Sequence, residues 1–195
     1  MNCARTEIGP GIVVYDNVLD GNWLISIVEN EIINTSGFDD WEWSTTGQSG
    51  SRNNYRTSFT FPLLRIIDPN NDHPLQREVK TKVLNSINNA YNDYSSRYLV
   101  EAGFMEPPTV LKYVAGGSYR THSDAGPGIH RVVSCVGCLG NSSSGGDLEF
   151  PLLDVRIKLR ENQLILFPSN FLFQHYAHPV TDGVKYSLVT WWGHL

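Results

Sequence analysis

A chain of 195 residues with 41% hydrophobic and 18% charged residues, five Trp and nine Tyr has the length of one compact unit and the composition of a folded globular protein, not of a disordered or collagen-like one. The net charge of −5, a pI near 5.6 and the lack of any dense Lys/Arg run exclude an electrostatic grip on phosphate backbones, so nucleic acid is not an expected partner. No stretch approaches the roughly 18 consecutive apolar residues of a membrane span, and Met1 to Pro10 lacks a signal peptide's apolar region, so we expect a cytoplasmic protein with no membrane partner.

Leu24, Ile27, Val28 and Ile32 recur at helical spacing, as do Val79, Val83, Leu84, Ile87, Tyr91, Tyr94 and Tyr98. The first hundred residues therefore predict two amphipathic helices. Between them Ser36 to Phe61 is rich in Gly, Ser, Thr and Asn yet carries Trp41, Trp43 and Tyr55, which makes it a candidate lid loop. From Pro108 the texture changes to short β-rich runs broken by Gly, Pro and Asp: Thr109 to Val114, Arg131 to Cys138, Asp147 to Phe150, Val155 to Leu159, Gln163 to Phe167 and Val184 to Trp192. This cadence predicts a mainly β sandwich or jelly roll with the helices covering one sheet face, which also explains a last strand that is apolar on both sides. We expect one domain over 1–195, with helical support and the lid in 1–107 and the core jelly roll in 108–195. No repeat or heptad is visible, and nothing in the chain specifies an oligomeric state.

Three cysteines cannot all pair within one chain, which fits reduced thiols. Cys135 and Cys138 form a CxxC, but in a strand-like run residues three apart point to opposite faces. A metal shared by the two is not expected.

His122-Ser123-Asp124 follows a strand-like run, and in extended backbone residues i and i+2 project to one side, so an imidazole and a carboxylate can meet one ion. Six His and eleven Asp give roughly 0.3 such triplets by chance, so the motif alone is weak. A third ligand strengthens it: His175, about fifty residues on, in Phe171-Leu172-Phe173-Gln174-His175. Two imidazoles and one carboxylate on one side of iron leave three positions open, the arrangement of non-haem iron(II) oxygenases. Ligand types alone also allow zinc in a hydrolytic site.

His178 competes with His175. Pro179-Val180-Thr181-Asp182-Gly183-Val184-Lys185 suits a hairpin with a three-residue loop and Gly183 in the left-handed position, which pairs Val180 with Val184 and Pro179 with Lys185. By parity His175 and Lys185 then face one way and His178 the other; a two-residue loop would reverse this. A lysine facing inward needs an anion beside it. A ligand that chelates the metal at one end and carries a free carboxylate at the other satisfies both, and 2-oxoglutarate has that shape.

Taken together, these segments resemble the prolyl 4-hydroxylase-like branch of the iron(II)/2-oxoglutarate dioxygenases, in its short microbial and viral form. The resemblance spans Pro108 to Trp192. It rests on Tyr113-Val114-Ala115-Gly116-Gly117-Ser118-Tyr119-Arg120-Thr121-His122-Ser123-Asp124, then Gly145-Gly146-Asp147-Leu148-Glu149-Phe150-Pro151, then Leu166-Phe167-Pro168, then His175 with Pro179-Val180, Gly183 and Lys185. It implies a double-stranded β-helix in which His122, Asp124 and His175 bind Fe(II). Lys185 and the Tyr113 hydroxyl hold the distal carboxylate of 2-oxoglutarate, and Arg131 and Trp191 contact substrate. The implied chemistry couples decarboxylation of 2-oxoglutarate to hydroxylation of an unactivated C–H by O2, with ascorbate keeping the iron reduced. Charges agree: iron(II) with one carboxylate carries +1, and Lys185 adds a second positive charge for a dianionic cosubstrate. Asp124 is intact, whereas halogenating relatives replace this carboxylate, so hydroxylation is the expected reaction. The resemblance puts peptidyl proline first among substrates, then another protein side chain or a free amino acid. The rival from another class is an inert jelly-roll module that binds peptide or sugar.

Overall fold

The structure, a computed structural model, describes residues 4–32, 41–44, 55–63, 74–141 and 144–194. Strands β1 (Arg5–Gly9) and β2 (Ile12–Tyr15) come first, joined by a tight turn that needs Gly11 at φ +70°. Helix α1 (Gly21–Ser26) is capped by the Asp20 carboxylate, which accepts from the Trp23 amide, and runs on as a π-helical stretch over Ile27–Ile32. Strands β3 (Glu42–Trp43) and β4 (Phe59–Pro62) follow. A second helical rod is made of α2 (Pro74–Val79), a π-helical segment Lys80–Leu84, and α3 (Asn85–Tyr98).

The rest of the described chain is strand: β5 (Phe104–Met105), β6 (Thr109–Val114), β7 (Tyr119–His122), β8 (Arg131–Asn141), β9 (Ser144–Gly145), β10 (Leu148–Phe150), β11 (Val155–Ile157), β12 (Leu164–Pro168), β13 (His175–Ala177), β14 (Val180–Asp182) and β15 (Val184–Gly193). The major sheet runs β1-β2-β12-β8-β15-β6-β4-β3, with β5 also on β15, and the minor sheet runs β11-β10-β13-β7. A small β14-β9 pair lies between them in sequence. The two larger sheets face each other as a double-stranded β-helix, with Leu148 and Phe150 of the minor sheet packed on Ile12, Val14, Ile165 and Phe167 of the major one.

Strand parity divides the major sheet. On its outer face Val13, Tyr15, Leu164, Leu166, Cys135, Leu139, Leu188 and Trp192 pack beneath the helices, against Leu24, Ile27, Val28, Val83, Ile87 and Tyr91. The helices thus cover one sheet face as the periodicity predicts, and Tyr91 stacks flat on Trp192 at 4.4 Å between centroids. Along the inner face of β15 the alternate residues Lys185, Ser187, Val189 and Trp191 line a cavity between the sheets. Cys135 belongs to the outer cluster and Cys138 to the inner one, so the two thiols are buried on opposite faces and free, as the spacing predicts.

Three expectations need revision. The N-terminal half is not only helical support: β1 and β2 extend the major sheet beyond β12, and β3 and β4 extend it beyond β6. The aromatics that mark Ser36 to Phe61 as a lid are anchors where they are described. Trp41 packs on Phe61 and Tyr186, and Trp43 on Phe59, fixing β3 and β4 to the sheet; residues 36–40 and 45–54 lie outside the described residues. Residues 180–185 form no hairpin either. Gly183 does take φ +76°, but β14 pairs with β9, placing Val180 opposite Gly145, while β15 departs into the major sheet between β6 and β8. His175 and Lys185 therefore sit on different sheets.

Candidate metal centre

His122 ends β7, and the β13 register sets His175 directly opposite it. After His122 the chain bends, and the Ala125 amide donates to the Ser169 carbonyl at 2.9 Å, which turns Asp124 back between the imidazoles. The Asp124 carboxylate lies 3.5 Å from His122 Nε2 through Oδ1 and 3.7 Å from His175 Nε2 through Oδ2. One ligand atom from each residue falls within 4.8 Å of the other two, a grouping that can hold a metal ion.

The hydrogen bonds around the trio suit a divalent cation. His122 Nδ1 donates to the Arg120 carbonyl at 2.8 Å and His175 Nδ1 to the Phe173 carbonyl at 3.1 Å. Each Nδ1 thereby carries the ring proton, and each Nε2 keeps its lone pair for a metal. Burial pushes the His175 imidazole below its ordinary value, so the ring is neutral, the state a ligand needs. Burial alone would raise Asp124, but His175, His122 and the Ser134 hydroxyl together hold its carboxyl well below the usual carboxylate range. The set is one anion and two neutral donors. Rings fix the imidazoles: Tyr119 stacks on His122 at 3.6 Å between centroids, and Phe167 meets His175 edge-on at 4.9 Å.

Beside the trio lies a cavity of about 830 Å³. It is lined by His122, Asp124 and His175, and also by Tyr113, Lys185, Arg131 and Trp191, so the seven residues that the resemblance assigns to iron, cosubstrate and substrate reach one space. His178 does not line it; its Nε2 pairs with Glu149 instead. Lys185 is only 7% exposed, and its ammonium donates to the Gly146 carbonyl and lies 5.7 Å from the centre of the Tyr113 ring. Burial lowers the Lys185 pKa and raises that of Tyr113, whose phenol also meets Ser58 and Arg56 and so remains a donor. The Lys185 amine and the Tyr113 hydroxyl face a buried space that, among the described residues, carries no carboxylate except Asp124.

Arg131 reaches the cavity through a bulge. Trp192 pairs with Val133 and Gly193 with Arg131, skipping Val132, and this extra residue swings Arg131 from the face of Val133 to the opposite one. Its guanidinium stacks 3.6 Å over the Trp191 ring and forks onto Glu106 at 2.5 and 2.6 Å. Neither Glu106 nor Arg56 stands in a recognisable motif; the Arg56 guanidinium lies 4.9 Å over the Tyr119 ring and also lines the cavity. The buried pair Ser134 and Ser169 behind Asp124 was equally silent.

Residues 108–193 match the 2OG-Fe(II) oxygenase superfamily. No curated protein matches the sequence. Among solved structures the chain is similar to a viral collagen prolyl hydroxylase from Paramecium Bursaria Chlorella virus-1, solved with 2OG, at 18% identity and a TM-score of 0.67, covering 96% of this chain and 98% of that one. It is similar also to a Trichoplax adhaerens prolyl hydroxylase solved with a hypoxia inducible factor peptide fragment (18%, TM-score 0.70, 94% and 83% covered) and to a Pseudomonas putida prolyl-4-hydroxylase (18%, TM-score 0.66, 94% and 92% covered). At this identity the structural likeness speaks for the fold, and the family match over residues 108–193 speaks for the oxygenase class. Residues 108–193 thus carry the match to the 2OG-Fe(II) oxygenase superfamily, on a chain whose fold is similar to that of solved prolyl hydroxylases.

Proposed function

We propose that His122, Asp124 and His175 hold the iron, that Lys185 and Tyr113 bind the distal carboxylate of 2-oxoglutarate, and that the enzyme hydroxylates a prolyl residue in a peptide or protein against Arg131 and Trp191. The observation that carries this reading is that all seven side chains line one cavity although they come from five strands and the turn after β7.

Iron(II), when bound, supplies oxidative decarboxylation: 2-oxoglutarate and O2 become succinate and CO2, while one oxygen atom enters the substrate C–H to give C–OH. The protein's part is positional. The two Nδ1–H bonds to backbone carbonyls hold the imidazoles in the tautomer that offers Nε2. Lys185 gives a dianionic cosubstrate a charge-assisted bond in a buried setting, and the Tyr113 hydroxyl adds a neutral donor. Leu111, Val136, Leu148 and Val189 in the cavity wall exclude water from the reacting centre. We also assign ascorbate the role of keeping the iron ferrous between turnovers.

Proline is favoured by the wall opposite. Glu106 neutralises Arg131, so the stack with Trp191 offers a flat surface without net charge. An uncharged pyrrolidine ring suits that surface better than the carboxylate and ammonium of a free amino acid. A cavity of about 830 Å³ also has room for a residue beside the cosubstrate. The relatives named as prolyl hydroxylases, one of them solved with a peptide, support the same substrate class. Incubation with Fe(II), 2-oxoglutarate, ascorbate and proline-rich peptides should release succinate and add the mass of one oxygen at proline. Succinate release with the added oxygen found only on other residues would overturn the proline assignment alone.

A further inference from the structure

The Asp124 carboxylate is not free on both sides. Its Oδ2 accepts a hydrogen bond from Ser134 Oγ at 2.6 Å, and Ser134 Oγ lies 2.8 Å from Ser169 Oγ. Asp124, Ser134 and Ser169 are 7%, 0% and 1% exposed, so bulk water does not compete for these bonds. A hydroxyl has one proton to give: with Ser134 donating to the carboxylate, Ser169 is the donor between the serines, and the relay runs one way, ending on Oδ2. The backbone of Ser169 is fixed as well, its amide donating to the Val132 carbonyl and its carbonyl accepting from Ala125, the residue after Asp124. Oδ1 faces His122 Nε2 at 3.5 Å much as Oδ2 faces His175 Nε2 at 3.7 Å, but it receives no hydroxyl or amide proton among the described residues.

We propose that Ser134, backed by Ser169, makes Asp124 a one-oxygen ligand, engaging Oδ2 and leaving Oδ1 to the metal. The proposal rests on the metal reading given under Proposed function. Of six positions on an octahedral ion, two imidazoles and one oxygen leave three, which a chelating cosubstrate and O2 fill. A carboxylate binding through both oxygens would take a fourth and leave too few. Ser134 is thus a positioning residue that acts through Asp124, and two serines on an inter-sheet face shared with Val136 and Cys138 acquire a purpose.

The test is titration of Co(II), followed by visible d–d absorption and calorimetry, into the metal-free wild type and the S134A, S134T, S169A and H175A variants. We expect S134A to bind Co(II) roughly 10–100-fold more weakly, with an altered band shape. S134T should restore both, and S169A, which leaves the Ser134 hydroxyl in place but undirected, should fall between. The threonine rescue separates loss of the hydroxyl from a packing defect, and S169A carries the comparison if S134A does not fold. Wild-type affinity and bands in S134A, or in S169A where S134A does not fold, would overturn the proposal. A wild type without Co(II) bands, or an H175A variant that binds like wild type, would instead bring down the ligand assignment on which it rests.

Discussion

His175 lies directly across the β7–β13 ladder from His122, with 4.3 Å between ring centroids. Opposed residues on neighbouring strands share a face, so sliding this register by one residue would turn the pair apart. His175→Ala should leave the circular dichroism unchanged. It should weaken metal binding by more than the roughly 10–100-fold that loss of an outer hydrogen-bond partner costs, and abolish succinate release. Retained metal affinity would show that His175 is not a ligand.

Lys185→Ala should raise KM for 2-oxoglutarate by about 10- to 150-fold, corresponding to roughly 1.5–3 kcal/mol for a buried charge-assisted hydrogen bond, with a smaller effect on kcat. An unchanged KM would remove the lysine from the cosubstrate site.

Burial depresses the Lys185 pKa, so the free enzyme loses this charge below lysine's ordinary titration range. Apparent affinity for 2-oxoglutarate should therefore fall as pH rises through that lowered value. Stability moves the opposite way: between the folded and unfolded pKa values the unfolded chain binds more protons, so the cosubstrate-free protein should gain stability as pH rises across that window. Both trends should vanish in Lys185→Ala, and a pH profile of KM shared by wild type and variant would contradict this.

Gly146 sits at φ +72°, and a Cβ there would lie 3.0 Å from Lys185 Cδ and 3.3 Å from Val180 Cγ2. Gly146→Ala should displace the lysine stem and raise KM for 2-oxoglutarate less than Lys185→Ala does. Gly145→Ala, whose Cβ would fall 2.4 Å from the Pro179 carbonyl oxygen, is expected to lower Tm through the backbone instead. Equal kinetics in the two glycine variants would remove the link to Lys185.

Arg131→Ala removes the surface stacked on Trp191 and leaves Glu106 without its fork. We expect KM for a peptide to rise while succinate release without peptide stays near wild type. A fall in peptide-free turnover of the same size would show that Arg131 serves the metal or cosubstrate instead.

The parts of the site legible in the sequence were those where chemistry and strand parity agree. His122 and Asp124 are two apart on extended chain, and a lysine that faces inward demands an anion. His175 and Lys185 do meet, but not through the hairpin that the turn residues suggest. A hairpin would place them on one sheet, but β14 is captured by β9, and the two meet across the space between the sheets. Local turn signals cannot report such a capture, because it depends on a strand some thirty-five residues earlier. Ile12-Val13-Val14-Tyr15 is buried on both faces, so it lacks the alternation that reveals a strand. Arg131 turns inward through a bulge that simple parity does not foresee. Ser134 and Ser169 look like any serines until their hydroxyls are seen lined up on Asp124.

The most direct measurement is anaerobic titration of 2-oxoglutarate into the Fe(II)-loaded protein, watched for the visible charge-transfer band of a chelated 2-oxo acid. Wild type should develop the band at saturable 2-oxoglutarate, Lys185→Ala should need far more of it, and His175→Ala should show none. A wild type that binds Fe(II) yet develops no band, or a band that persists undiminished in His175→Ala, would contradict the site described here.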